Sequence, residues 1–278
     1  MRTCRRLLRQ PLGIVGIVLA LVLVVVAAFG PWLAPHGTAR EDHDLARRWQ
    51  PPGAAHPFGT EYFGVDIFSR VIMGARVSLF IGVGASLLTV AIGLVFGTLA
   101  GYAGGRTDLL IMRLIDVMLA FPSLLLIIIL AAAFGQSFAA VFLALALANW
   151  APVAQLVRGQ VLTLKTREFV TASRALGAHH LHVLLRHVLP NCLSIMLVVF
   201  TMKLGTMILA EASLSFLGLG SINQPNSWGL LVREYYDDIT PYWWASVFPA
   251  SAIALTVIAF NLLGDALRDA LDPKLRIG

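Results

Sequence analysis

Charge is what this sequence has least of. Asp, Glu, Lys and Arg make up 13% of the residues and apolar side chains 58%, against roughly 25% charged in soluble domains. So little polar surface cannot coat a soluble fold, which leaves an all-α integral membrane protein. Cysteine is nearly absent as well. Cys4 and Cys192 support neither a disulfide framework nor a cysteine-based metal site. Also missing is the phosphate-cradling pattern G-x-x-x-x-G-K-[ST]. Its nearest approximation, Gly159 to Thr166, has Leu164 where the second glycine is required. There is no nucleophile with a neighbouring base, no paired carboxylates and no zinc-spaced His/Cys set, so the chain reads as a non-enzyme that needs no cofactor. The net charge of +6 is not a nucleic-acid signal, because the basic residues sit at the ends of apolar runs rather than in one patch.

What is abundant is long apolar sequence. The run 12–33 follows Arg2, Arg5, Arg6 and Arg9 and has the ~20 residues that a spanning helix needs, whereas a cleaved signal core has only about 7–15. It is expected to be an uncleaved first span with its N-terminus inside. Residues 36–76 are polar, rich in Pro and Gly and balanced in charge, as suits an outer loop. His36, His43 and His56 lie there at spacings without ligand logic, and are expected to be solvated loop histidines. A second span, 77–101, carries Gly82, Gly84, Gly93, Gly97 and Gly101; small residues of this kind let helix backbones approach closely in lipid. The 41 uncharged residues from Val117 to Val157 are too many for one span. Gly135-Gln136-Ser137 divides them into spans at 117–134 and 138–157, each with a proline (Pro122, Pro152) expected to kink it. Arg113 and Asp116 are placed to pair at i, i+3. Spans at 192–209 and 245–263 complete six. Between these two, Trp228, Tyr242, Trp243 and Trp244 suit a lipid–water boundary.

Two ionisable residues interrupt this pattern. Lys203 falls inside the fifth span and Glu211 near its outer end. Charge inside a span is costly and marks a functional suspect, so both are candidates for a pore or an inter-subunit contact. Eight positions of helix separate them by about 12 Å, too far to bond each other. For Glu211, local hydrogen bonding that shapes the following turn is the stronger expectation.

The longest polar interruption is 167–191. Together with Arg158 and Lys165, its arginines Arg167, Arg174 and Arg186 face a single acid, Glu168, and His179, His180, His182 and His187 cluster here. Basic loops beside spans stay cytoplasmic. Phe169, Ala172 and Leu176 line one face of a short helix at i, i+3, i+7, and Gly177 stands where a left-handed C′ residue would. A second short helix is expected to carry Leu181, Leu184, Leu185 and Val188 on one side and His179, His182 and Arg186 on the other, with Pro190 closing it. The four histidines are spread around the helix axis and suggest no metal. By pattern alone the unit is either a helix pair lying on the lipid surface or a docking element for a soluble partner.

The loop resembles the cytoplasmic coupling loop of ABC importer permeases: Glu-Ala-Ala, three residues, Gly, nine residues, Ile-x-Leu-Pro. Thr171, Ala172 and Ser173 occupy the first three places, Gly177 follows at the family's distance, and Leu189-Pro190 close it. The sequence departs from the pattern at Thr171 (for Glu), Ser173 (for Ala) and His187 (for Ile). HPFGTEYFGVDIFSRVIMGARVSL in the outer loop, AEASLSFLGLG, and FNLLGDALRDALDPKLR near the end are similar to segments of dipeptide, oligopeptide and nickel permeases, with Val65 replacing the usual Arg. The resemblance implies six transmembrane helices with a coupling-helix loop, divided as 1–73 (N-terminus, first span and outer loop), 74–265 (permease domain) and 266–278 (tail). It implies coupling to ATPase subunits through Glu168, Thr171, Ala172, Ser173, Ala175, Leu176, Gly177, Leu189 and Pro190. The implied partners are a second, related permease subunit in a heterodimer, two ABC ATPase subunits and an extracytoplasmic substrate-binding protein, in a bacterial inner membrane with both termini cytoplasmic. The implied cargo is a peptide, or alternatively nickel or its chelate. A secondary transporter is the rival reading. It would want internal repeats and broken helices with midplane ion ligands, and no convincing repeat is present.

Overall fold

In a computed structural model of the chain, residues 11–36, 44–221 and 226–271 are described. His43 and the arginine-rich N-terminus lie outside them. The described residues are almost entirely helical: α1 (Pro11–Leu33), α2 (Ile67–Ala103), α3 (Gly105–Ala120), α4 (Ser123–Phe134), α5 (Phe138–Leu164), α6 (Glu168–Ala175), α7 (His180–Phe216), α8 (Trp228–Glu234) and α9 (Trp244–Leu271). Five of these are long and apolar enough to cross a membrane, and α3 with α4 would make a sixth crossing if counted as one bent span.

That third crossing differs from expectation. The sequence suggests one kinked helix through Pro122. Instead α3 stops at Ala120, Phe121 and Pro122 are extended, and α4 leaves at 95°. A proline disfavours helical geometry in the residue before it and cannot donate to the preceding turn. Leu119, Phe121, Leu124 and Leu125 around the break are exposed, and the helix ends rather than bends. Elsewhere the helices run on through Pro31, Pro152 and Pro249.

The glycines of α2 act as expected, by close approach. A Cβ on Gly93 would lie 2.6 Å from Val153, on Gly97 2.6 Å from Val157, and on Gly101 2.8 Å from Val161. Two four-residue registers therefore interlock α2 with α5. Gly82 makes room for Ile208 of α7 in the same way, at 2.4 Å. At the other side α1 is peripheral, with Gly16 against Leu262 and Leu263 of α9 and Gly30 near Ile72 of α2. Its remaining faces expose Leu12, Val15, Val18, Leu21, Val22 and Phe29, as a lipid-facing helix would.

The loop before α2 is folded rather than loose. Asp66 caps α2 through Ser69, Ile67 N–H donates to the Gly59 carbonyl, and Trp244 Nε1–H reaches the Thr60 carbonyl at 3.2 Å. Two corrections follow. Trp228 and Trp244, expected at the lipid boundary, are buried, and Trp228 donates to the Val71 carbonyl at 2.9 Å. Only Trp243 of the three keeps an exposed ring. His56, expected in solvent, is 5% exposed and hydrogen-bonded to Asp66.

Candidate functional site

The basic loop is built at the end of α5. Arg167 begins α6 and Glu168 occupies its first turn, where a carboxylate favours the positive end of the helix dipole. Thr171 Oγ1 donates to the Glu168 carbonyl at 2.9 Å. At the other end Gly177 has φ +84°. Gly177 N–H bonds the Arg174 carbonyl at 2.9 Å, and Ala178 N–H the Ser173 carbonyl at 3.1 Å. This is the paired closure of a Schellman motif, which requires a left-handed residue at the turn. His179 then caps the next helix, its Nδ1 accepting from Leu181 N–H at 3.3 Å.

That next helix is not a separate short one. Pro190, expected to close it, lies inside a continuous helix from His180 to Phe216, and residues Leu184–Val188 just before it are wound as a π-turn. Proline lacks the amide hydrogen and its ring crowds the carbonyl four residues back; a wider turn accommodates both faults without ending the helix. The second half of the basic loop is therefore helically continuous with the rest of α7.

Side-chain direction divides the loop in two. Val170, Val183 and Val188 are fully buried and pack with Val157 and Val161 of α5 and Cys192 and Met196 of α7. Phe169, Ala172 and Leu176 point the other way. Leu176 is 89% exposed, and Thr171 and Ala175 are exposed too, with Ser173 and Leu189 half-buried. The expected stripe of the second helix is split accordingly: Val188 is inward, while Leu181 and Leu185 are outward. Leu181 and Leu185 join His179, His182, Arg186 and Pro190 around a shallow hollow of about 640 Å³. His182 and His187 stay 6.0 Å apart between ring centres, and the four loop histidines form no ligand cluster among the described residues.

Three long-range contacts tie together this loop and the helices beneath it, none of them legible in local sequence. Tyr102 at the end of α2 donates to the His180 carbonyl at 2.9 Å, with Arg174 over its ring at 5.5 Å. Lys165 Nζ donates to the Gly101 carbonyl at 3.0 Å. Arg158 holds Asp108 of α3 in a two-point ion pair at 2.5 and 2.6 Å. The exposed pair Arg113–Asp116 stands at 3.7 Å, a weak contact by comparison.

Of the two ionisable span residues, Glu211 is 1% exposed and enclosed within the chain. It accepts from Ser215 Oγ at 2.8 Å and Ser78 Oγ at 3.4 Å, so it ties α7 to α2. Lys203 is half-buried, and its ammonium has no hydrogen bond or ion pair among the described residues. At the end of α2 away from the basic loop, Arg70 binds Glu234 at 2.9 Å, Asn226 at 3.3 Å and Tyr235, clamping α8 down. Burial holds the Tyr235 phenol well above its ordinary titration range, so it remains a neutral acceptor for Arg70. An apolar groove of about 670 Å³ opens between the outer halves of α7 and α9, lined among others by Leu209, Phe216, Val232 and Val257.

Comparisons with known proteins agree with this geometry. The family described as binding-protein-dependent transport system inner membrane component matches residues 93–277, and the N-terminal TM domain of oligopeptide transport permease C matches residues 2–52. The chain is 42% identical over 273 residues to the dipeptide transport system permease protein DppC of Bacillus subtilis (strain 168), covering 98% of this chain and 85% of the relative. It is 40% identical to the oligopeptide transport system permease protein OppC of the same organism, covering 95% and 86%. With the glutathione transport system permease protein GsiD of Escherichia coli O6:K15:H31 the identity is 45%, covering 98% and 89%.

Proposed function

The chain belongs to the inner membrane components of binding-protein-dependent transport systems, and on that premise we propose that it forms half of the translocation pathway for peptides in an ATP-driven importer. The named relatives carry dipeptides, oligopeptides and glutathione, which favours peptides over nickel. It also favours an ATP-driven importer over the secondary-transporter reading. The partners are a second permease subunit, two ATPase subunits and an extracytoplasmic substrate-binding protein. Both termini and the loop 167–191 face the cytoplasm.

The observation that carries the coupling role is the division of α6. One face is seated on α5 by Val170, and the opposite face presents exposed Ala172 and Leu176 together with Phe169, whose ring lies 6.2 Å from that of His187. An apolar face held out by a rigid mount suits a groove on a partner, as helix-in-groove recognition does. The mount passes force inward. Tyr102 links the loop to α2, and the unbroken helix through Pro190 links it to α7. Closure of the ATPases would then tilt α2 and α7 together and alternate access to the pathway, with Lys203 facing the path or the second permease.

The test is uptake of a labelled dipeptide into proteoliposomes holding the permease pair with its binding protein. Uptake is expected only with both ATPase subunits and ATP present. Uptake driven by an ion gradient without the ATPases would overturn the reading. Impermeant thiol reagents added outside intact cells should label a cysteine at Asn226 and spare one at Ser173. The reverse pattern would invert the topology.

A further inference from the structure

We propose that His36, His56 and Asp66 form a binding site for a borderline divalent transition-metal ion, represented by Zn²⁺. The site lies at the N-terminal end of α2, the far end of that helix from Tyr102 and the basic loop. Its three residues come from three separate segments. His36 stands three residues beyond the end of α1, His56 lies in the folded loop, and Asp66 caps α2.

The ligand atoms of the three all lie within 4.8 Å of one another. His56 Nδ1 is 2.9 Å from Asp66 Oδ1, and His36 Nδ1 is 3.7 Å from Asp66 Oδ2. Metal–ligand bonds of about 2.0–2.1 Å in a tetrahedron place ligand atoms about 3.3 Å apart, and the two observed separations bracket that value. The remaining separation, between the two histidines, extends to 4.8 Å, so closing the site around an ion takes a movement of about 1.5 Å at the ~3.3 Å spacing, which the partly exposed His36 ring can supply by side-chain rotation.

The chemistry of the set points to a borderline cation. Two imidazoles and one carboxylate are zinc-type ligands, whereas Ca²⁺ and Mg²⁺ require six or more oxygens, many of them from carboxylates. His36 Nδ1 is shielded from solvent and has no hydrogen-bond partner among the described residues. A buried polar atom left unpaired is costly, and a metal ion would use its lone pair. Asp66 is already oriented by a surrounding shell: Ser69 N–H and Ser69 Oγ both donate to its Oδ2, at 2.8 and 2.7 Å. Hydrogen bonds of this kind aim a ligating carboxylate. His36 N–H in turn donates to Ser69 Oγ at 3.1 Å. The His36 side chain is 37% exposed, which leaves one side of the site open for entry and for a water ligand. On binding through Nδ1, His56 carries its single N–H on Nε2, which leaves the Nδ1 lone pair for the ion in place of the Asp66 contact. The ion would staple the outer end of α1, the most peripheral helix, to the start of α2.

The experiment is Zn²⁺ titration of the full-length chain in detergent by calorimetry. Co²⁺ serves as a second probe, through the visible absorption of its four-coordinate complexes. One site is expected in the wild type, together with a Zn²⁺-dependent rise in Tm that a chelator reverses. His36→Ala should weaken that site at least about tenfold and abolish the rise in Tm. Its Tm without metal should fall only slightly, because the ring makes no hydrogen bond among the described residues and packs only against the His56 ring, 4.8 Å away. His56→Ala should also remove the site. The variant His182→Ala/His187→Ala should keep it, which separates it from the loop histidines. An isotherm in His36→Ala identical to wild type, or no Zn²⁺ binding by the wild type, would overturn the proposal. Neither outcome would touch the peptide-uptake test above.

Discussion

In the outer loop a Cβ on Gly64 would lie 2.1 Å from the Asp44 carbonyl oxygen, and one on Gly59 would lie 2.5 Å from that of Gln50. In the basic loop Gly177 has the same left-handed backbone, φ +84° against +80° for Gly64, yet nothing stands within 4 Å of where its Cβ would be. The surrounding side chains tell the same story. Around Gly59 and Gly64, His56, Glu61 and Asp66 are buried, and Trp244 packs against the backbone; around Gly177, Leu176 and Phe169 are exposed. One loop is closed on its own chain and the other is open on one side. The difference separates a glycine needed for packing from a glycine needed for a turn alone, and it locates an apolar surface that the described residues leave uncovered.

The comparison is broken most directly at Gly64. Gly64→Ala combines a left-handed strain of about 1–2 kcal/mol with an overpacking cost of about 1–3 kcal/mol. It should sharply lower the yield of folded protein and its Tm in detergent. If Gly177→Ala lowered Tm as much, the two loops would not differ in the way described. Next in size is Gly177→Asp. Strain alone costs about 1 kcal/mol, so insertion and Tm should change little, while co-purification of the ATPase subunits falls at least about tenfold, a change worth about 1.4 kcal/mol. Ala172→Asp and Leu176→Asp should do the same without any strain, because both side chains point outward. Full ATPase capture and substrate-stimulated hydrolysis in all three Asp variants would place the docking surface elsewhere.

A third comparison sharpens the contrast within α7. Lys203→Met should leave assembly of the complex intact while slowing peptide uptake several-fold, since no hydrogen bond or ion pair among the described residues depends on the ammonium. Glu211→Gln should instead lower Tm, because its carboxylate bonds both Ser78 and Ser215. Unchanged uptake by Lys203→Met would remove Lys203 from the pathway. The smallest effect is expected for Thr171→Glu, which installs the residue usual in the family on an exposed first-turn position. Hydrolysis and uptake should stay within about twofold of wild type; on the scale of a surface substitution this is at most about 0.5 kcal/mol. A large loss would show that the partner groove is shaped around Thr171.

Part of this molecule was readable without coordinates. Hydropathy is summed over ~20 consecutive residues, so spans are local properties; the proposed side of the basic loop rests on an equally local count of positive charge. Gly177 belongs with them, because the apolar i, i+3, i+7 face before it and the chain reversal after it lie within one dozen residues. Glycine spacing likewise announced that α2 would pack closely. What the sequence left open was always a matter of approach between distant segments. Pro122 ends a helix while Pro152 does not, a choice that rests on what neighbours each one. The helix continues through Pro190 across a π-turn flanked by Val183 and Val188, both buried against α5 by residues distant in sequence. His36 and His56 are spaced without ligand logic along the chain, and only the folding of the loop onto Asp66 brings them together. Composition and short-range pattern therefore determined that this is a multi-span protein with an amphipathic basic loop. Tertiary structure alone decided which apolar face was left uncovered and which polar groups converged, because burial is assigned by residues far away in sequence.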